Sequence, residues 1–433
     1  MEIIRYNEEK GREKLNAFLK SGEISADVDS KVKAIIDDVR YYGDKALLDY
    51  TSKFDKVFMR PEELKVDEVE FIEALAVVTR EFKDAFKEAK DNITEYYSQQ
   101  KRKQFVCKTK KGKSNKVLFS PIEKVGVYIP GGTAPLVSTI LMTVVLAQVA
   151  GVKEIVIMTP PSIEKRVNPY ILSAAYFLGV KNIYKVGGAQ AIAGLAFGTE
   201  TLPKVDKIVG PGNMYVASAK RQVYGFVGVD LIAGPSEIAI LADDKANPAY
   251  IAIDLLSQAE HDEMSRCLLV TPSYELAQKV KREMITQARG LSRKEIIEQS
   301  LMKNAMIALV ENIDEGVEVV NAFAPEHLEI MTRDSDKLAH KIKHAGTILL
   351  GDYSPVAVAD FIAGASHVLP TGGSARAFSG LSLDDFIKKI NVVKYSKSAL
   401  QSSAQNIIKF TDIEGLDAHG RSVSKRFEKR RRK

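Results

Sequence analysis

Along the first hundred residues apolar positions recur at three- and four-residue spacing, which predicts amphipathic helices over 7–19, 29–42 and a long run 69–97. A basic, turn-rich stretch follows at 101–114 (KRKQFVCKTKKGKS) and predicts a hairpin or an exposed loop. From Lys124 the texture changes. Short apolar runs (KVGVYIP, EIVIMTP, NIYKVG, DKIVGPG) alternate with helical patterns, among them 168–178 and 213–224. After Asp230 the rhythm resumes with EIAILAD, a helix at 247–260, RCLLVTP, a helix at 273–288, MIALVEN, a helix at 313–323, HLEIMT and GTILLGD. Runs apolar on both faces, separated by helices, predict parallel sheets covered on both sides. The expected fold is α/β, with two Rossmann-like, incomplete parallel-sheet modules and helical N-terminal and C-terminal segments, the last beginning near residue 382. The similar module lengths hint at a duplicated unit, although no residue-level repeat is convincing. Open parallel sheets bind ligands outside the carboxyl ends of their strands, so the loops after strands are the first place to expect a site.

Composition narrows the function classes. The chain has 433 residues, 45% hydrophobic and 27% charged, which suits two or three well-packed domains rather than disorder. Its two cysteines, Cys107 and Cys267, make neither a disulfide framework nor a thiolate metal site and fit a reducing compartment. The start, MEIIRYNEEKGREK, lacks the apolar core of a signal peptide, and the apolar stretch at 139–152 is broken by Thr143 and Gln148. That stretch falls short of the ~18 continuous apolar residues of a membrane span. A cytoplasmic protein with no membrane partner is expected. The net charge of +6 resides entirely in residues 425–433 (KRFEKRRRK), leaving 55 basic and 55 acidic residues elsewhere. The body therefore makes no electrostatic case for nucleic acid, and the tail reads as a solvated end.

Six histidines are present. His340 and His344 stand four apart among lysines, the pattern of a solvated helix face. Gln258 and His261, in LLSQAEHDE, stand three apart, so an amide oxygen and an imidazole project from one helix face. They can share a metal ion of the borderline kind that accepts N and O ligands, or simply form a helix end. Asp360 and His367 flank the glycine in DFIAGASH, and His419 follows Glu414 in EGLDAHGRS; each is a weak signal alone. Glu326 and His327, in FAPEHLEI, are candidates for two separate proton transfers, or for a surface acid beside a helix-terminal histidine. The turns YIPGGTAP (128–135), VGGAQAIAG (186–194) and IVGPGN (208–213) each follow an apolar run and precede a helix. They suit an anionic ligand such as a nucleotide, and equally plain βα turns. None has the spacing G-x-G-x-x-G.

Taken together and in order, these segments resemble histidinol dehydrogenases. The resemblance runs from VRYYGDKALLDYTSKFD (39–55) to EGLDAHGRS, through VGVYIPGGTAP, VGGAQAIAGLAFGTE, VDKIVGPGN, AGPSEIAILAD, DLLSQAEHD, APEHLEI and HVLPTGGSARAFS. It implies one Zn²⁺ per subunit held by Gln258, His261, Asp360 and His419, and an acid–base pair of Glu326 and His327. Implied substrate contacts are Ser236, Gln258, His261, His327, Asp360, His367, Glu414 and His419, and implied NAD contacts are Tyr128, Gln190 and Asn213. The implied organisation is an N-terminal arm (1–22), a discontinuous α/β domain (23–124 with 236–381), an NAD-binding domain (125–235) and a C-terminal segment (382–433) exchanged in a domain-swapped homodimer. Glu414 and His419 would then act in the partner's site. The implied reaction is oxidation of L-histidinol to L-histidine through a bound aldehyde, reducing two NAD.

The sequence departs from the family pattern at Ser366, where asparagine is common, and at Ala359 and Phe361, where glycine and tyrosine are usual. Its segment LVSTILMTVVLAQVAG also lacks two prolines. The alternative is thus a paralogue acting on another polar alcohol, such as a sulfonated diol. His367 and Glu414, which suit an imidazole and an ammonium group, favour histidinol.

Overall fold

The computed structural model describes residues 1–19, 26–109, 112–131 and 136–428. The chain divides into two compact units, Met1–Gln100 with Ile122–Phe386, and Lys101–Pro121 with Ile387–Lys433. The larger unit is built on two all-parallel sheets. One has five strands in the order Ile183–Lys185, Glu154–Thr159, Lys124–Tyr128, Lys207–Val209, Gly228–Val229. The other has six, in the order Glu2–Arg5, Ala305–Leu309, Arg266–Thr271, Glu237–Ala242, His327–Met331, Thr347–Leu350. Numbered within its own segment, each sheet runs 3-2-1-4-5, and the second adds Glu2–Arg5 at its edge. The duplicated unit hinted at by module length is therefore visible in the topology.

Both faces of each sheet are covered, as the apolar runs require. Along Glu237–Ala242 the alternation is clear: Ile238 and Ile240 pack with Ile251, Leu255 and Leu256 on one side, Ala239 and Leu241 with Val317, Val320 and Phe323 on the other. Val32, Ile36 and Val39, from the helix Ala26–Tyr42, join the core of the five-stranded sheet. The run read as one helix over 69–97 is two, Glu68–Val77 and Arg80–Ser98, with Val78 extended and Thr79 capping the second. Thr79 Oγ1 accepts the Phe82 N–H, and such a cap stabilises a helix start by about 1 kcal/mol. The strand Glu2–Arg5 and the helix Lys294–Lys303 were not anticipated from the pattern.

In the smaller unit, the stretch at 101–114 enters an antiparallel hairpin, Phe105–Thr109 with Lys113–Pro121. Lys113–Pro121 also pairs with Ile387–Tyr395, so a strand precedes the terminal helices Lys397–Glu414 and Asp417–Ser424. The reading of continuous helix past 382 missed that strand because its exposed residues, KKINVVK, carry no burial alternation. Cys107, in the hairpin, is exposed and Cys267 is buried; both are free thiols. Residues 20–25, 110–111, 132–135 and 429–433 lie outside the described residues, so the arm's end, part of the first glycine-rich turn and most of the basic tail do too. Among the described residues no helix is long and apolar enough to cross a membrane.

Candidate active site

Four segments far apart in sequence bring ionisable side chains together at the amino ends of the six-stranded sheet. The first is the end of the helix Pro248–Ala259, which Asn247 caps through the Ala249 N–H at 2.9 Å. Gln258 lies in its last turn and is almost fully buried. The helix stops at Ala259, so His261 sits in the following turn rather than on the helix face, tied back by its N–H to the Gln258 carbonyl at 3.3 Å. Part of its ring is exposed, yet the surrounding protein still disfavours charge there and burial lowers its pKa. A neutral imidazole is the form a metal ligand needs.

The second segment is Glu326-His327. The helix Ile313–Phe323 ends in a left-handed Ala324 (φ 51), and the strand begins at His327. Gly346 makes the close approach beside it possible, since a Cβ there would meet the Glu326 carbonyl oxygen at 2.5 Å. Glu326 is buried, its Oε2 accepting the Glu237 N–H at 2.8 Å. Burial pushes its pKa up to about 8, against the pull of His327. His327 Nδ1 lies 3.3 Å from the Glu237 carbonyl, and its Nε2 lies 3.3 Å from Asp360 Oδ1. A carbonyl only accepts, so Nδ1 carries hydrogen; facing a carboxylate, Nε2 carries one too. Burial opposes that charge, but Glu326 and Asp360 outweigh it and hold the imidazole at about 9.

The third segment is the short helix Val356–Phe361, which presents Asp360. Its Val356 N–H donates to Glu329 Oε1 at 2.9 Å. Despite burial, His327 holds the Asp360 pKa down, with His367 and His261 contributing. The fourth segment is the loop carrying His367, whose Nε2 lies 3.2 Å from Ser138 Oγ and whose pKa burial lowers. Next to it Ser366 donates to the Met142 carbonyl at 3.2 Å, in a π-helical turn over Leu141–Val145. Two departures from the family pattern, Ser366 and the proline-free segment, thus lie against each other. Ala359 is packed in the sheet core and Phe361 is exposed. Ser236 directly precedes the strand Glu237–Ala242 and accepts the Arg266 N–H at its carbonyl.

Glu414 ends the helix Lys397–Glu414 and His419 lies in Asp417–Ser424; both are exposed in the smaller unit. His340 and His344 are surface residues of no shared helix face, because the helix Ser335–Ala339 stops before them. Among the described residues, no group of three or more His, Cys, Asp or Glu side chains within the chain is placed to hold a metal ion. Of the expected ligands, His261 and Asp360 lie near enough for each to influence the other's charge, and Gln258 stands one turn from His261 on the same segment. Gln258 Oε1 is buried without a hydrogen-bond partner, a costly state for an amide oxygen unless a ligand completes it. These residues fit a divalent ion that takes its remaining ligand from elsewhere.

The cofactor candidates follow the carboxyl ends of the five-stranded sheet, at the switch point between Lys124–Tyr128 and Lys207–Val209. Tyr128 is buried and its hydroxyl accepts the Gly188 N–H at 3.0 Å, at the start of the helix Gly188–Phe197. Gln190, in the same turn, is buried with both amide atoms unpartnered. Asn213 caps the helix Met214–Val223 through the Tyr215 and Val216 N–H groups, leaving its amide nitrogen for a ligand. Gly210 (φ 112) is required between them, because any Cβ would collide with the Tyr128 carbonyl. Its N–H donates to Asp230 at 2.8 Å and its carbonyl accepts from Lys220 at 2.9 Å, which fixes the turn. Orphaned amide groups beside two helix N-termini fit a dinucleotide.

A family model described as histidinol dehydrogenase matches residues 19–427. The chain belongs to the histidinol dehydrogenase family. Curated members include one from Clostridium acetobutylicum, 49% identical over 94% of both chains, and one from Bacillus cereus, 46% identical over 99% of both. The crystal structure of histidinol dehydrogenase from Elizabethkingia anophelis superposes with a TM-score of 0.92 at 38% identity, covering 98% of each chain. Membership makes the chain an oxidoreductase and accounts for its α/β fold with helices at both ends.

The family motifs did not point to Ser138, Glu237 or Arg266. One signal was available for the last two: adjacent apolar strands, EIAILA and RCLLVT, each open with a charge, of opposite sign. Glu237 and Arg266 are register partners.

Proposed function

We propose that this chain oxidises L-histidinol to L-histidine in two successive NAD-dependent steps, a terminal reaction of histidine biosynthesis, at a zinc-containing site. The observation that carries the reading is the convergence of Glu326, His327, Asp360, His261 and His367 from separate segments, together with a buried, unpartnered side-chain oxygen on Gln258, whose carbonyl holds the His261 N–H. Gln258, His261 and Asp360 would hold the metal, with His419 from a second copy. Bound there, a divalent ion supplies a template for the substrate's amino and imidazole nitrogens and takes up part of the Asp360 charge. Tyr128, Gln190 and Asn213 would hold NAD, which supplies the hydride acceptor for both oxidations.

The remaining chemistry falls to this chain's own groups. With Nδ1–H committed to the Glu237 carbonyl, Nε2 is the basic nitrogen of His327, and it takes the substrate's hydroxyl proton in the first oxidation. Glu326, as carboxylate, takes a proton from the water that adds to the aldehyde, while protonated His327 returns its proton to the aldehyde oxygen and is free again as a base. The resulting gem-diol then loses its hydroxyl proton to His327 in the second oxidation. Ser236, His367 and the second copy's Glu414 orient the substrate. Burial of Glu326 and His327 keeps bulk water away from the aldehyde.

Exchange of the C-terminal segment between two copies is supported by the smaller unit, which leaves Phe105, Val393, Phe410 and Ile413 exposed, at 61%, 65%, 67% and 71%. The absence of a spanning helix among the described residues and the reduced cysteines support a cytoplasmic site of action.

The deciding experiment is product stoichiometry with and without a chelator. Two NADH per histidinol, lost on metal removal and restored by Zn²⁺, is expected. One NADH per histidinol would sink the two-step mechanism, and turnover of a sulfonated diol with none of histidinol would sink the substrate.

A further inference from the structure

Glu326 and His327 share one support. The Glu237 main chain donates its N–H to Glu326 Oε2 at 2.8 Å and offers its carbonyl to His327 Nδ1 at 3.3 Å. A single residue's main chain therefore sets the direction of one carboxyl group and the tautomer of one imidazole. Besides the strand pairing, its side chain holds that residue. Glu237 Oε1 accepts from Arg266 Nη1 at 2.7 Å, and the two side chains are 1% and 3% exposed. Arg266 is fixed in turn. Its Nη2 donates to the Phe18 carbonyl, and its guanidinium carbon stands 4.7 Å from the Phe18 ring centroid and 4.9 Å from that of Phe323. An arginine held between two rings and paired along one edge has few rotamers left.

A buried ion pair is a poor device for stability alone, because apolar residues of the same volume usually serve as well or better. What an ion pair supplies that apolar packing does not is direction. We propose that Arg266 is a positioning residue for the reaction: through the Glu237 side chain it locks the one residue whose main chain aims both Glu326 and His327. The aromatic clamp of Phe18 and Phe323 ties this lock to the N-terminal helix and to the helix that ends just before Glu326. The inference rests on the acid–base roles assigned above to Glu326 and His327.

The test compares wild type, Arg266→Met and the double variant Glu237→Gln/Arg266→Met, all as full-length enzyme with Zn²⁺ and NAD. Arg266→Met strands a buried carboxylate and is expected to lower both melting temperature and kcat. The double variant leaves no unpaired charge, so its melting temperature should return to that of wild type. Its kcat should stay about tenfold down with KM within about twofold, the signature of lost alignment rather than lost binding. The same double replacement in a His327→Asn background should slow the first NADH equivalent, the one that depends on His327, by less than about twofold, because the group it aims for that step is already gone. Recovery of kcat together with stability, or a full tenfold loss in the His327→Asn background, overturns the proposal and leaves the pair as plain packing. An unimpaired His327→Asn enzyme instead overturns the acid–base reading beneath it.

Discussion

Replacing Glu326 by glutamine separates the two oxidations. The glutamine keeps an oxygen for the Glu237 N–H, now 2.8 Å from Glu326 Oε2, so the local geometry has no reason to move. At neutral pH the wild-type carboxyl, with its pKa pushed up to about 8, is already largely neutral, and the fold should lose less than about 1 kcal/mol. What disappears is the carboxylate that forms toward pH 9. General-base catalysis is worth about 10²–10⁴-fold, or about 3–5 kcal/mol of barrier, and this loss should fall on aldehyde hydration alone. In the proposed mechanism the first oxidation depends on His327. Its base form becomes more accessible in the variant, because Glu326 is the largest influence raising the His327 pKa. The first step should therefore stay within a few-fold of wild type. A stopped-flow trace of NADH absorbance near pH 9, with enzyme in excess over histidinol, reads both steps. Wild type should give two equivalents in close succession, and Glu326→Gln one fast equivalent and a second at least about a hundredfold slower. Two equivalents at wild-type rates would refute the base role, and equal slowing of both would refute the division of labour.

Three further outcomes are expected. Histidinol oxidation should accelerate as pH rises from 7, because His327, whose proton Glu326 and Asp360 help to hold, must lose it before it accepts one; a flat profile in the wild type, measured as kcat against pH, contradicts this. Stability of the metal-free protein should fall as pH rises from 6.5 to 9, measured as the urea midpoint. Glu326 and His327 both have folded pKa values raised above their ordinary 4.5 and 6.5, so the unfolded chain releases their protons first, and a midpoint that climbs over this window would be the wrong sign. Asp360→Asn and Gln258→Ala should each cut retained zinc after dialysis from about one per chain to a small fraction, with the loss of one ligand weakening binding by about 10–100-fold or more; full zinc content by atomic emission in either variant would remove that residue from the ligand set.

Much of the architecture was legible because the strands are short, apolar and buried on both sides, while the helices between them are capped by asparagine or serine at the predicted starts, as at Asn168, Asn213, Asn247, Ser273 and Asn312. The elements missed are those whose partners are remote. Glu2–Arg5 is only four residues long and becomes a strand by pairing with Ala305–Leu309, a contact no local pattern announces. Ile387–Tyr395 pairs with Lys113–Pro121 across most of the chain and is exposed along nearly its whole length. At the site, the chemistry-bearing side chains stood out by type and motif, and their convergence came from resemblance rather than spacing. Glu237 remained hidden because it acts through its peptide, and a main-chain role leaves no mark on residue type.

The proposed NAD contacts Tyr128, Gln190 and Asn213 lie at the carboxyl ends of strands, where a ligand site was expected, whereas Glu326 and His327 sit at the amino end of theirs. The two sheets share one strand order, so the same unit is used from opposite ends. In a parallel α/β unit the carboxyl ends of strands are the amino ends of helices, and the reverse. The five-stranded sheet thus turns the helix starts at Gly188 and Met214 toward its ligand, with partial positive charge suited to phosphates. The six-stranded sheet turns the helix ends at Ala259 and Phe323 toward its own, with partial negative charge suited to a metal ion, an imidazolium and a substrate ammonium group. The raised pKa of His327 has a more local cause at that end, the carboxyl groups of Glu326 and Asp360 beside it, which outweigh its burial.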